Sequence, residues 1–145
     1  MELYDKSLQQ NPDNKYSLNN KGYTLNLMDR FEEAIPYFDR AIELDTDFAY
    51  SYNNRGLSRI KIGQVEKGLQ DINRSFELDP ENSYGYMNMG IYHFDKGEFD
   101  EALQQFLKAR ELDSKTHMID KLINDTKHQI DRITVINMGT PNSGA

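Results

Sequence analysis

The chain is 145 residues long, enough for one domain with its own core and too short for two. It has no cysteine, which excludes thiol catalysis, disulfides, cysteine-ligated zinc and iron–sulfur clusters, and its 24 acidic against 17 basic residues (net −7) disfavour nucleic acid, whose groove needs a clustered positive field. No apolar run is long enough to span a bilayer, so no membrane insertion is expected, while 9 Tyr and 7 Phe argue for a packed chain rather than disorder.

Residues 1–13 lack the basic start and apolar stretch of a signal peptide. They read instead as a half repeat, because Tyr4, Ser7 and Pro12 stand 34 residues before Phe38, Ala41 and Thr46. The same period of 34 divides the middle of the chain into 15–48, 49–82 and 83–116. Tyr16, Tyr50 and Tyr84 recur at it, as do Asn20, Asn54 and Asn88, and Gly22, Gly56 and Gly90. Each period predicts two helices, over 15–28 and 30–44, 49–62 and 64–78, then 83–96 and 98–112. Asp29, Gly63 and Gly97 mark the turns between them. In the second helices Phe31, Ala34, Ile35, Phe38, Ala41 and Ile42 step by three and four, which is one apolar face. Gly22, Gly56 and Gly90 are expected to cross Ala34, Gly68 and Ala102, where small side chains let two backbones approach. Residues 117–137 predict a capping helix with Met118, Ile119, Leu122, Ile123, Ile130 and Ile133 turned inward. The last stretch, 138–145, predicts a frayed tail.

This pattern resembles the tetratricopeptide repeat family. The residues that carry the likeness are Leu18, Gly22, Leu25, Ala34, Phe38 and Ala41 in the first repeat, and Tyr52, Gly56, Gly68, Ile72, Ser75 and Pro80 in the second. In the third they are Tyr86, Met89, Gly90, Ala102, Phe106 and Ala109. The resemblance implies an all-α fold, a right-handed α-solenoid of helix–turn–helix hairpins with a C-terminal capping helix. It also implies that the first helix of each hairpin lines a concave groove and the second a convex face. The first helices with their ends carry six basic and one acidic residue, the second fourteen acidic and six basic, so the acidity belongs to the convex, solvated side.

Catalytic chemistry has nothing to stand on, and neither cofactor nor metal is expected. His93, His117 and His128 are too scattered for a zinc site. The acids from Asp95 to Glu101 lack calcium-loop spacing. Asn73-Arg-Ser75 and Asn124-Asp-Thr126 match glycosylation acceptors but fall within predicted helices. An arginine at position 55 replaces the apolar residue usual before the glycine, and it is expected to pair with Asp71 on the facing helix.

By the family's geometry the groove stripe is Tyr16, Asn19, Asn20, Tyr23 and Leu27, then Tyr50, Asn53, Asn54, Leu57 and Lys61, then Tyr84, Met87, Asn88, Ile91 and Asp95. Its asparagines have two readings. They form a groove wall that bonds neighbouring repeats, or a ladder of amides that pairs with a peptide backbone. The second reading resembles the asparagine ladder in the repeat domain of the O-linked GlcNAc transferase. A carboxylate clamp of the co-chaperone kind is not expected, because Asn19, Tyr23, Asn54, Tyr84 and Asn88 stand at the matching places without a cation. The expected function is a binding module or scaffold for a protein or peptide segment. The alternatives are a homodimer formed through the end helices, or a regulatory or targeting domain of a larger protein, which the half repeat suggests. The compartment is open, with the cytoplasm as the default expectation.

Overall fold

The computed structural model describes residues 1–139, and among these every regular element is an α-helix. In chain order they are α1 (Glu2–Gln10), α2 (Lys15–Leu27), α3 (Phe31–Leu44) and α4 (Ala49–Lys61), followed by α5 (Val65–Leu78), α6 (Ser83–Asp95), α7 (Phe99–Leu112) and α8 (Ile119–Gly139). Helices α2 and α3, α4 and α5, and α6 and α7 form three hairpins, and each hairpin packs on the next. The first helices α2, α4 and α6 also pack on one another, with no comparable contact among α3, α5 and α7. A stack that is tight on one side and open on the other must curve, which makes the molecule an α-solenoid with α2, α4 and α6 on its inner wall. The outer helices carry exposed ion pairs such as Arg40 with Glu43 and Arg74 with Glu77, the solvated face that the charge pattern predicts.

The turns inside the hairpins share one geometry. Asp29, Gly63 and Gly97 adopt left-handed backbone, with φ of 58°, 93° and 76°. Arg30, Gln64 and Glu98 then donate their amides to the carbonyls five residues back, Leu25, Arg59 and His93, at 2.8–2.9 Å. This motif satisfies carbonyls that the helix end leaves open. Between hairpins, Asp45, Asp79 and Asp113 accept the amides of Asp47, Glu81 and Lys115 at 2.9–3.1 Å, so each carboxylate closes a turn on its own backbone.

The helix crossings explain the small residues. A Cβ added to Gly68 would lie 2.5 Å from the carbonyl oxygen of Gly56, so α4 and α5 touch backbone to backbone. At Gly22 and Gly90 the neighbour is instead a ring, Phe38 or Phe106, both fully buried. One contact was not legible in the repeat pattern: Gly85 admits Phe76 of the preceding hairpin at the junction of α5 and α6.

In the second hairpin the expected ion pair is present and larger than expected. Arg55 donates two hydrogen bonds to Asp71, at 2.9 and 2.8 Å, and a third to Asp39 at 2.9 Å, while Arg59 reaches Asp71 at 2.8 Å. The Asp71 side chain is only 8% exposed and that of Arg55 14%.

Helix α8 departs from the sequence reading at its far end. Ile119, Ile123 and Thr126 are buried, and Ile119 and Ile123 complete the core of the third hairpin. Ile133, expected inward, is exposed, and so are Val135, Ile136 and Met138. The reason is length. With 21 residues α8 outruns the 14 of α7 by about 10 Å at 1.5 Å per residue, so its last turns have no hairpin beside them. Met118 is also exposed, in left-handed backbone with φ 58° just before the helix. Met138 and Gly139, expected in the tail, continue α8; the rest of that tail, 140–145, lies outside the described residues.

Candidate functional site

The inner wall carries the candidate site, since α2, α4 and α6 present equivalent positions side by side. The predicted stripe separates into two classes. Tyr16, Asn20, Leu27, Tyr50, Lys61 and Asp95 are exposed, and Tyr23, Leu57, Tyr84 and Ile91 are half-buried. Asn19, Asn53, Asn54, Met87 and Asn88 are buried.

The buried amides correct the expectation of an open asparagine ladder. Asn19 Oδ1 accepts from Ser51 Oγ at 2.9 Å and from Asn54 Nδ2 at 3.2 Å. Asn88 Nδ2 donates to both oxygens of Asn53, main chain and side chain, at 3.1 and 2.9 Å. Asn26 joins the network, its amide donating to the Asn54 carbonyl and its oxygen accepting from Ser58. Small serines let neighbouring first helices approach closely enough for amides to bridge them. Of the ladder residues Asn20, Asn54 and Asn88, only Asn20 is exposed. The asparagines therefore hold the inner wall together, while the buried Nδ2 of Asn53 has no hydrogen-bond partner among the described residues.

What the wall presents instead is aromatic. Tyr16 meets Phe48 edge to face at 5.5 Å between ring centres, Phe48 meets Tyr50 at 5.8 Å, and Tyr50 meets Tyr84 at 6.4 Å. Tyr84 then meets Tyr23 at 5.9 Å, and Tyr23 meets the imidazole of His117 at 6.3 Å. Such edge-to-face pairs are a favoured geometry for rings. The chain of rings thus crosses all three hairpins and reaches the loop before α8. Two cavities of about 320 Å³ each adjoin along it, with Tyr23 in the lining of both. One is walled by Tyr16, Asn20, Phe48, Tyr50 and Tyr84. The other is more apolar, with Leu27, Phe31, Leu57, Met87, Ile91, Phe94, Met118 and Leu122.

Charges on the wall are matched within the chain. Lys61 pairs with Asp95 one repeat on, and Lys15 pairs with Asp45. The Lys15 ammonium also stands 5.1 Å from the ring centres of both Tyr16 and Phe48, a cation–π arrangement. At the junction of the two cavities the Tyr23 hydroxyl is buried and has no hydrogen-bond partner among the described residues. Burial, and next to it the neighbouring Tyr84 phenol, pushes the Tyr23 pKa up to about 12. No cluster of His, Asp or Glu among the described residues could hold a metal ion.

Two members of the ring chain were not legible in the sequence. Phe48 precedes α4 where the other repeats have Asn14 and Asn82, so no periodic column marks it. His117 lies beyond the last repeat, and only the stacking of the hairpins brings it to Tyr23.

Comparison with known proteins agrees with this architecture. Tetratricopeptide repeat profiles match residues 16–48, 49–82 and 83–116. No curated protein matches the sequence. Among solved structures, the Sgt2 repeat domain from Aspergillus fumigatus superposes with a TM-score of 0.65 at 20% identity, covering 90% of this chain and 87% of that one. The first repeat domain of Spaghetti (RPAP3), bound to the HSP90 peptide SRMEEVD, gives 0.60 at 16% identity, over 81% and 93% of the two chains. The second repeat domain of human RPAP3, in complex with the HSP70 peptide SGPTIEEVD, gives 0.56 at 23% identity, over 76% and 92%. Three consecutive profile matches on three stacked hairpins leave one assignment: the chain belongs to the tetratricopeptide repeat family.

Proposed function

We propose that this protein is a protein–protein interaction module that holds an extended segment of a partner along the groove of α2, α4 and α6. The observation that carries the reading is the unbroken line of rings from Tyr16 to His117 with two cavities beside it. Tyrosine offers a rigid apolar face and a polar tip, and such residues dominate binding surfaces. That two structural neighbours are seen with chaperone peptides supports a peptide as the kind of ligand. An acidic tail of that type is not the ligand proposed, because Lys15 and Lys61 already have carboxylate partners.

A photo-reactive side chain in place of Tyr50, which is 43% exposed on the inner wall, tests the proposal. The partner should cross-link there and not to the same group placed at the exposed Lys108 of α7. Capture from Lys108 alone would move the site to the convex face. A second reading, self-association, is supported by a separate observation: Val135 and Met138 on α8 are 69% and 82% exposed, and α1 has no buried residue. Light scattering distinguishes a dimer from a monomer with a ligand groove.

A further inference from the structure

We infer that the free end of α8 from a second copy of this chain fills the apolar cavity of the groove, each copy seating its α8 in the other; this deepens the self-association reading and rests on it. The tyrosine-walled cavity stays open to a partner.

The end of α8 carries an uncovered apolar face. Residues 131–139 are all exposed, Ile133 by 44% and Ile136 by 61%. These two stand three apart on one side of the helix, and Arg132, four before Ile136, lies beside them. Apolar groups gathered on a helix that outruns its hairpin mark a contact surface. A further hairpin is not what covers α8. Leu18, Gly22 and Leu25 pack α2 on α3, and three periods on stand Asp120, Asn124 and Lys127, all polar and exposed.

The cavity matches the end of α8 in polarity and in charge. Leu27, Leu57, Ile91, Met118 and Leu122 are among its walls, and its volume of about 320 Å³ has room for aliphatic side chains. Leu27 and Met118 are exposed, so the apolar lining continues out to the surface. Asp29 at its mouth, with Glu32 close by, makes no ion pair among the described residues. Arg132 also lacks an acidic partner among them. Ile133 and Ile136 fill the cavity while Arg132 pairs with Asp29 at the mouth.

The occupant comes from another copy. Leu122 lines the cavity of its own chain, and Ile133 stands about 16 Å further along the same helix at 1.5 Å per residue. Each α8 therefore leads away from its own cavity. A two-fold axis crossing α8 midway between Leu122 and Ile133 carries both ends to the opposite cavities at once, and the assembly closes as a dimer.

The chain has no cysteine, so introduced ones report contacts without background. Whole chains carrying Ile136→Cys and whole chains carrying Leu27→Cys are mixed and oxidised at a concentration where sedimentation equilibrium shows the dimer. A disulfide joining one chain of each kind should form at least about tenfold faster than with Lys108→Cys in place of Leu27→Cys. Ile133→Asp should weaken dimerisation at least about tenfold and leave the helical signal unchanged, because the side chain lies outside the core. Arg132→Glu and Asp29→Arg should each weaken it several-fold, and the two together should restore it. A monomer at every concentration up to about 1 mM overturns the insertion and self-association together. A dimer whose disulfides join only the two Ile136→Cys sites lays the free ends on each other and overturns the insertion alone. Neither outcome touches the cross-link at Tyr50, which tests the partner groove separately.

Discussion

The second hairpin and its two neighbours are built on one sequence pattern and held together differently. In the first and third, Phe38 and Phe106 are fully buried rings that lie against Gly22 and Gly90, and the interior is conventional apolar packing. In the second, isoleucine replaces phenylalanine at position 72, the crossing is glycine on glycine, and the two backbones touch. A position that carries Lys21 in the first repeat and Met89 in the third carries Arg55 here, locked to Asp71 and Asp39. Lys21 instead leans over the Tyr37 ring at 4.8 Å and pairs with Asp5 of α1. One repeat thus accepts either an aromatic ring or a buried ion cluster at its centre.

The largest effect should come from the centre of that cluster. Asp71→Ala leaves Arg59 and most of Arg55 without their carboxylate in a site almost closed to water, at a cost of about 3 kcal/mol. The corresponding Gln105→Ala in the third repeat, where no such cluster exists, should cost less than about 0.5 kcal/mol. Urea unfolding of both variants checks the contrast, and equal losses would mean that the cluster adds nothing the third hairpin lacks.

Next comes the crossing itself. Gly68→Ala drives a methyl into the Gly56 carbonyl, which belongs to a backbone that cannot step aside. A cost of about 3 kcal/mol for overpacking, less about 1 for better helix propensity, leaves about 2 kcal/mol of destabilisation. Gly22→Ala brings a methyl to 2.6 Å from the ring edge of the buried Phe38, which must shift, but as a side chain rather than as backbone, so its net cost should be smaller, about 1 kcal/mol. A larger loss at Gly22 than at Gly68 would reverse the distinction drawn between the two crossings.

The smallest effect sharpens a difference on the groove side, where one column reads Tyr23, Leu57 and Ile91. Only the first repeat places a titratable group there. Its pKa is pushed up to about 12 in the folded protein, against an ordinary 10, so the folded state holds this proton more tightly than the unfolded one. The stability this represents is whole below pH 10 and declines as the pH rises towards 12. Ultraviolet titration should show a phenol ionising late, near pH 12, and Tyr23→Phe should remove that late step. A variant with the same titration curve as the wild type would show that another tyrosine is the late one.

Much of this architecture was legible in the order of residues alone. The period of 34, the hairpins and the turn at Asp29, Gly63 and Gly97 are relations between residues close in sequence, where helical geometry leaves few choices. The Arg55–Asp71 pair was legible for the same reason: the two lie on facing helices of one hairpin, and a guanidinium beside a core position must have an acceptor. The groove was legible in outline but not in chemistry. Asn19, Asn53, Asn54 and Asn88 look in sequence like groups available to a ligand, yet each can equally bond the neighbouring helix. Only the distance between helices decides, and that distance depends on Ser51, Ser58 and the packing of whole hairpins.

The sequence by itself determined the repeat unit, its small-residue crossings and the acidic outer face, because these follow from helical periodicity and from contacts within a single hairpin. The tertiary structure alone decided which side chains face the groove unpaired, that Phe48 and His117 join the tyrosines there, and that α8 runs past the hairpin it caps. Those outcomes depend on how one hairpin is turned against the next. That angle is summed from many weak packing contacts between residues far apart in the chain, and no local pattern records it.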